Sequence, residues 1–250
     1  MSAPARARIA AVCALALIAG TARAACPVRS AYDVTVTPHA LIFDSNSGAP
    51  RRIEMRRGAL YDRGRAVALD RADRNRIVRF ERVARDLVPR IRGLGTRAVD
   101  LMAAAVREEA RATSPEAASS PELNRRLEAR VSELKARIAA STTSKDWHGN
   151  AFNRYVANAL TDVVPLVGGD LAGEAFDAAL RGEFARAAEL GERAAGIKAA
   201  LERRIRARLD ALQPDVERLC PAVRQLDGLE RDVSARLADG TRLNLLQVGS

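Results

Sequence analysis

Apolar residues recur along this chain in three rhythms. The first is a block: residues 9–20 are apolar and uncharged, behind Arg6 and Arg8 and ahead of Ala22-Arg23-Ala24. A short basic start, an apolar run and small residues at the −3 and −1 positions make a cleavable export signal, cut after Ala24 or Ala25. The run is shorter than the roughly 20 residues a membrane span needs. The second rhythm is alternation. "DVTVTPHALIF" carries Val34, Val36, Leu41, Ile42 and Phe43, and "DSNSG" at 44–48 has turn chemistry. "RRIEM", "ALYD" and "AVAL" come next as short strands separated by Gly58 and Gly64. This pattern predicts a small antiparallel meander. Such a sheet is not stable alone, so it should pack against the helices C-terminal to it.

The third rhythm begins after Asp70, a suitable helix N-cap. Ile77, Phe80, Ala84, Leu87, Ile91, Leu94, Ala98, Leu101 and Ala105 come in steps of three and four, which places them on one helix face. Pro89 and the Gly93/Gly95 pair should kink or break that helix. "ATSPEAASSPEL" at 112–123 is a connector, with Ser120-Pro121 as N-cap and N1 of the next helix. Leu123, Leu127, Val131, Leu134 and Ile138 give that helix its stripe, and "ASTTSKDWHGN" connects onward. Residues 151–181 read as helix broken near Pro165 and Gly168-Gly169. From Leu190 through Leu201, Leu209, Leu219 and Leu229 to Val233 and Leu237 the spacing averages the α-helical period. Pro214 and Pro221 should divide this last stripe into two or three pieces. Five acid-to-Arg pairs at i,i+4, among them Glu81–Arg85, Glu133–Arg137 and Asp232–Arg236, read as exposed helix pairs.

The fold class that results is α+β, mainly α: a small N-terminal antiparallel β-meander followed by a multi-helix bundle. The leader takes residues 1–24 and the meander 25–69. The helical region, 70–250, packs with the meander as one domain. The long stripes fit an intramolecular bundle better than a coiled-coil partner face.

Cysteines bear on the compartment. Cys13 lies within the leader and leaves with it, so the mature chain keeps Cys26 and Cys220. Arg23 stands where lipoprotein processing wants an aliphatic residue, which argues against a lipid on Cys26. In the oxidising space outside the cytoplasm two cysteines permit one intramolecular bridge. A structural Cys26–Cys220 disulfide is the favoured reading, and two free buried thiols are the alternative. There is no C-x-x-C pair to support redox catalysis. The expected location is the periplasm.

Charge changes the picture further. The chain holds 41 Lys+Arg against 31 Asp+Glu. Residues 51–97 alone hold 15 Arg against six acids. The excess starts at Arg51, Arg52, Arg56 and Arg57, which are the anion-binding candidates of this basic patch. The polyanions of a cell envelope are lipopolysaccharide, acidic phospholipid headgroups and acidic proteins. Nucleic acid is not expected, because aromatics are only 4% of the chain and base stacking needs them. The competing explanation is a solvated, solubilising face.

Little in the chain points to catalysis. His39 and His148 are the only histidines, and neither has zinc-ligand spacing around it. "DWHGN" at 146–150 joins the single Trp to a potential base, near Ser141, Thr142, Thr143 and Ser144, but no triad pattern accompanies it. No glycine pattern forms a phosphate-binding loop. No catalytic residue, metal site or cofactor is therefore assigned. A non-catalytic envelope protein that binds a partner or an anionic surface is the expected function. An envelope hydrolase centred on 146–150 and a chaperone-like helical scaffold are the alternatives. Oligomeric state is left open.

Taken together, Cys26 with "YDVTVTPHALIFD", then "GALYDRGRAVALDRADR", "DLVPRI" and "LCPAVRQLDGLERDVSARL" resemble the YggN-like family of exported proteobacterial proteins, a domain of unknown function. The resemblance spans most of the mature chain. It implies a periplasmic protein with a cysteine near each end, and it carries no activity, cofactor or catalytic residue.

Overall fold

The computed structural model describes residues 26–45, 51–113, 115–147, 158, 162–168 and 171–249. The expected leader, residues 46–48 of the "DSNSG" turn, His148, Gly149, Asn150 and Gly169 lie outside the described residues. The fold is α+β and mainly α, with an N-terminal antiparallel sheet followed by helices. The chain divides into two compact units. Unit 1 takes residues up to Ile91, Ser141–Asn153 and Val216–Ser250; unit 2 takes Arg92–Ala140 and Arg154–Asp215.

Unit 1 is built on the meander. Strands β2 (Tyr32–Val36), β3 (Leu41–Ser45), β4 (Arg52–Arg56), β5 (Ala59–Asp62) and β6 (Arg65–Ala66) pair in chain order, each antiparallel to the next. The stretch "DVTVTPHALIF" is therefore two strands around a turn. Thr37 closes that turn by accepting the Ala40 N–H on its hydroxyl at 2.9 Å. Strand alternation sends Leu41, Phe43, Ile53, Met55 and Leu60 to one face, where each is buried. Helix α1 (Arg71–Thr113) packs Ile77, Phe80 and Leu87 into the same core. Phe43 and Phe80 meet edge to face, ring centroids 6.1 Å apart. Asp70 caps α1 as expected, accepting the Asp73 N–H on its carboxylate at 2.6 Å.

Two of the expectations for the helices need correction, and the break expected near Pro165 and Gly168-Gly169 is narrowed to Gly168. α1 runs unbroken through Pro89 and Gly93. Pro89 is exposed and removes a single backbone donor, while Leu87 before it and Val99 and Ala103 after it keep burying the apolar face. The break shows instead in the contacts: the division between units falls after Ile91, a stripe residue that is 45% exposed. Pro165 lies within helix at residues 162–167, and Gly168 ends it. Finally, the last stripe stops being helical at Arg231. Its pieces are α5 (Phe184–Asp210), α6 (Gln213–Glu217) and α7 (Cys220–Arg231), divided at Pro214 and Pro221 as expected.

Beyond α7 the chain forms a strap. Val233, Leu237, Leu243 and Leu245 are buried, but no helix carries them. Carboxylates outside the strap, two of them far away in sequence, hold its backbone. Asp73 accepts the N–H groups of Ser234 and Ala235. Asp62 accepts that of Ala238 at 3.0 Å, and Glu230 accepts those of Leu245 and Leu246. These bonds draw the chain off the helical path that its apolar spacing would continue. The strap ends as β7 (Gln247–Val248), antiparallel to β1 (Val28–Arg29). A disulfide joins Cys26 to Cys220 at the start of α7.

Unit 2 is helical. The second half of α1 packs with α2 (Pro115–Ser119), α3 (Pro121–Ala140), residues 162–167, α4 (Leu171–Leu180) and α5. Ser120 and Pro121 start α3 as read, with the Leu123 N–H reaching Ser120 Oγ at 3.4 Å. Val106, Ala110, Leu123, Leu127, Val163, Val167, Leu190, Ile197 and Leu201 form its core. Arg204 on α5 donates to the buried Glu109 of α1 at 2.9 Å. No helix among the described residues is long and apolar enough to cross a membrane.

Candidate functional site

The four arginines singled out by charge density fall on and beside β4. β4 presents Arg52, Glu54 and Arg56 on the sheet face opposite Ile53 and Met55. Three of the four are already engaged. Arg51, its side chain 19% exposed, bridges Asp62 at 3.0 Å and Asp239 at 2.8 Å. Hydrogen bonds from the Thr241 hydroxyl and N–H, with Arg51 beside them, hold the Asp239 carboxyl well below the usual carboxylate range. Arg52 grips Asp44 with two parallel bonds of 2.8 and 3.1 Å. Arg56 lies 4.9 Å over the Tyr61 ring and 3.7 Å from Glu54.

Arg57 is different. It sits in the β4–β5 turn with φ +51°, followed by Gly58 at +79°. Its backbone N–H and that of Gly58 donate to the Glu81 carboxylate at 3.2 and 3.1 Å. Glu81 is thereby a buried turn anchor on α1, in place of the exposed partner of Arg85 that its spacing predicted. The Arg57 side chain is exposed. The turn rests on Val78, which is 40% exposed. Arg71, Arg74 and Arg82 are exposed on α1 at spacings that share the Val78 face. Over residues 26–91, 141–153 and 216–250, unit 1 holds 20 Lys+Arg against 14 Asp+Glu; unit 2, over 92–140 and 154–215, holds 18 against 17. The excess belongs to unit 1. Many of its acids face inward: Asp33, Asp62, Asp73, Glu81 and Glu230 are all buried.

The connector containing Trp147 completes the sheet edge. The Val36 N–H donates to Thr142 O at 2.8 Å, and the Val34 N–H to Ser144 Oγ at 3.0 Å. Ser144 Oγ also donates to the buried Asp33 at 3.3 Å. Trp147 donates its indole N–H to Ser141 Oγ. These serines thus hold β2 and the indole in place. His39 is exposed in the Thr37–Ala40 turn. Among the described residues no group of three or more His, Cys, Asp or Glu is placed to hold a metal ion.

Two features escape a reading of the sequence. One is Glu230, buried on α7 beside a cavity of about 430 Å³ lined also by Asp227, Arg231, Arg242 and Asn244. Burial pushes its carboxyl up to about 7, against the two strap N–H donors and with help from Asp227. Its bonds to the strap make it a clasp. The other is a set of large apolar side chains in water: Phe176 at 64%, Leu180 at 70% and Phe184 at 72% exposure, at the α4–α5 hairpin. Apolar residues dominate that stretch, so spacing alone did not separate buried from exposed positions.

No curated protein and no solved structure matches the chain. A family model does, over residues 26–246, from Cys26 to the last leucines of the strap. The chain belongs to that family, whose description is protein of unknown function (DUF2884).

Proposed function

We propose that the protein is a non-catalytic, exported envelope protein that binds an anionic surface through the basic face of unit 1. In this reading it is a YggN-like protein of a proteobacterial periplasm, and lipopolysaccharide or acidic phospholipid headgroups are its ligands. One observation carries the proposal: Arg57, Arg71, Arg74 and Arg82 are exposed around Val78, while many acids of the same unit are turned inward. Exposed cations with few acids among them attract polyanions. Arg51, Arg52 and Arg56 are tied to their own partners. The Cys26–Cys220 bridge supports export, since such bonds persist in oxidising compartments.

The test is co-sedimentation of the oxidised mature chain with anionic vesicles. Each basic side chain near an anionic surface contributes about 1 kcal/mol. Combined Arg57→Ala, Arg71→Ala, Arg74→Ala and Arg82→Ala should therefore weaken binding by roughly a hundredfold or more. Wild-type binding should weaken with salt. Binding that ignores both salt and these changes defeats the proposal.

A further inference from the structure

The α4–α5 hairpin exposes apolar surface that its own packing does not use. Leu171, Ala178, Leu190, Ile197, Leu201 and Leu209 fill the buried positions of the two helices. The turn between them is tight: Gly182, at φ +80°, donates to Ala179 O at 3.0 Å, and the Glu183 N–H donates to Ala178 O at 2.9 Å. Phe176 and Leu180 are one helical turn apart on α4, and Phe184 opens α5 just past the turn. Large exposed apolar groups gathered at one place mark an interaction site.

Charge identifies the partner. Next to the three apolar residues in the chain, Glu174, Asp177 and Glu183 are exposed, against Arg181 and Arg186. Arg181 is already paired with Glu183 at 3.0 Å. The tip is therefore apolar with an acidic rim. An acidic rim repels anionic lipid and favours a cationic surface with an apolar centre. The same chain displays such a surface: the half-exposed Val78 with Arg57, Arg71, Arg74 and Arg82 around it.

We propose that the protein docks head to tail on a second copy of itself, the hairpin tip of one copy seating on the Val78 face of the next. Two acidic tips repel one another, as do two basic faces, so tip-to-tip and face-to-face pairing are disfavoured. Tip-to-face pairing is heterologous, and it generates rings or open chains according to whether the rotation closes. The inference rests on the reading of the basic face as the anion-binding surface of unit 1.

Sedimentation velocity on the oxidised mature chain tests it. The wild type should show a mass that grows with concentration and returns to monomer at about 1 M salt, where charges are screened beyond about 3 Å. A tip variant, Phe176→Ser with Phe184→Ser, and a face variant, Arg74→Glu with Arg82→Glu, should each self-associate at least about tenfold more weakly. All four side chains are exposed, and circular dichroism checks that both variants fold. Glu174→Lys with Asp177→Lys gives a second tip variant that leaves the apolar groups in place. The decisive arm mixes the Phe176/Phe184 tip variant with the face variant. Each keeps the half the other lacks, so the mixture should form heterodimers at near wild-type affinity. A wild type that stays monomeric overturns the inference, and so does a mixture that fails to associate.

Vesicle binding separates this from the reading beneath it. A tip variant that has lost self-association but still binds anionic vesicles agrees with both. A tip variant that loses vesicle binding shows the tip entering lipid, and overturns self-docking. A face variant that keeps vesicle binding removes the anionic-surface reading, whatever the sedimentation shows.

Discussion

Asp73 and Ser234 are 161 residues apart, and the Asp73 carboxylate takes both the Ser234 backbone N–H and its hydroxyl, the latter at 2.8 Å. Asp73 also accepts the Ala235 N–H at 3.0 Å and a bond from Arg76. One buried side chain in the first turn of α1 thus sets where α7 stops and the strap begins. Burial alone would raise its pKa, but the bonds from Ser234, Arg76 and Ala235 together hold it below the usual range. Asp73→Asn leaves one acceptor oxygen and turns an amide N–H₂ toward donors. We expect a loss of about 3 kcal/mol, measured by urea unfolding. Hydrogen exchange should show protection lost first at Ser234 and Ala235. Unchanged exchange there would mean that the carboxylate does not hold the strap.

Glu230 makes stability depend on pH in the opposite sense to most carboxylates. Its carboxyl is pushed up to about 7, whereas an unfolded glutamate titrates near 4.3. Between those values the native chain holds a proton that the unfolded chain has released. Stability is therefore greatest below that window and falls as pH rises through it, by on the order of 3–4 kcal/mol. The charged groups near it are Asp227 and Arg231 on α7 and Arg242 on the strap. Asp73 and Asp239, with lowered values, act below about pH 4 with the opposite slope. Thermal unfolding between about pH 5 and 8 reads Glu230 alone among these three. Glu230→Gln removes the titration and leaves one acceptor oxygen for the two strap N–H groups, so it should flatten the curve while lowering its overall level. A slope that survives in the variant assigns the effect to another group.

Features that depend on local spacing are legible in the sequence. Alternation marks the meander strands, Asp70 and Ser120 mark helix starts, and Pro214 and Pro221 mark helix divisions. Features that depend on distant partners are hidden there. Leu237 keeps helical spacing with Leu229, yet Asp62 and Asp73 pull the intervening backbone into the strap. β1 and β7 are two-residue strands at opposite ends of the chain, with no local signal to announce them. Charge counting finds the basic region but not which arginines face water. That depends on cross-strand register: Asp44 lies opposite Arg52, and Asp62 opposite Ile53 and within reach of Arg51.

The Cys26–Cys220 bridge closes a separation of 194 residues and lies beside the β1–β7 pair. In the loop-closure model a bridge of that span contributes about 5 kcal/mol, and measured values often fall short. Cys26→Ser should lower stability by several kcal/mol within that bound. It should also release residues 27–29 to protease before the sheet unfolds, because β1 contributes only two residues of pairing. A digest without reductant should yield a Cys26–Cys220 peptide. If that peptide is missing from oxidised protein, the bridge is not formed and the export argument loses its chemical support.

Gly58 and Gly64 offer a controlled comparison at the two Arg-Gly turns. Both have φ near +80°, at +79° and +78°, and each follows an arginine at φ +51°. An alanine at either position takes on left-handed strain of about 1–2 kcal/mol. At Gly64 a Cβ meets nothing within 4 Å, whereas at Gly58 it would lie 2.7 Å from Val78 Cγ2 and 3.4 Å from Arg74 O. Valine is stiff at χ1 and cannot turn its methyls away cheaply. Gly58→Ala should therefore cost about 1 kcal/mol or more beyond Gly64→Ala in urea unfolding. In a Val78→Ala background the excess should vanish, leaving the strain common to both turns. Equal costs in the wild-type background would show that the turn does not rest on Val78. The same cycle bears on the basic face, because it measures how firmly Arg57 is held beside Arg74.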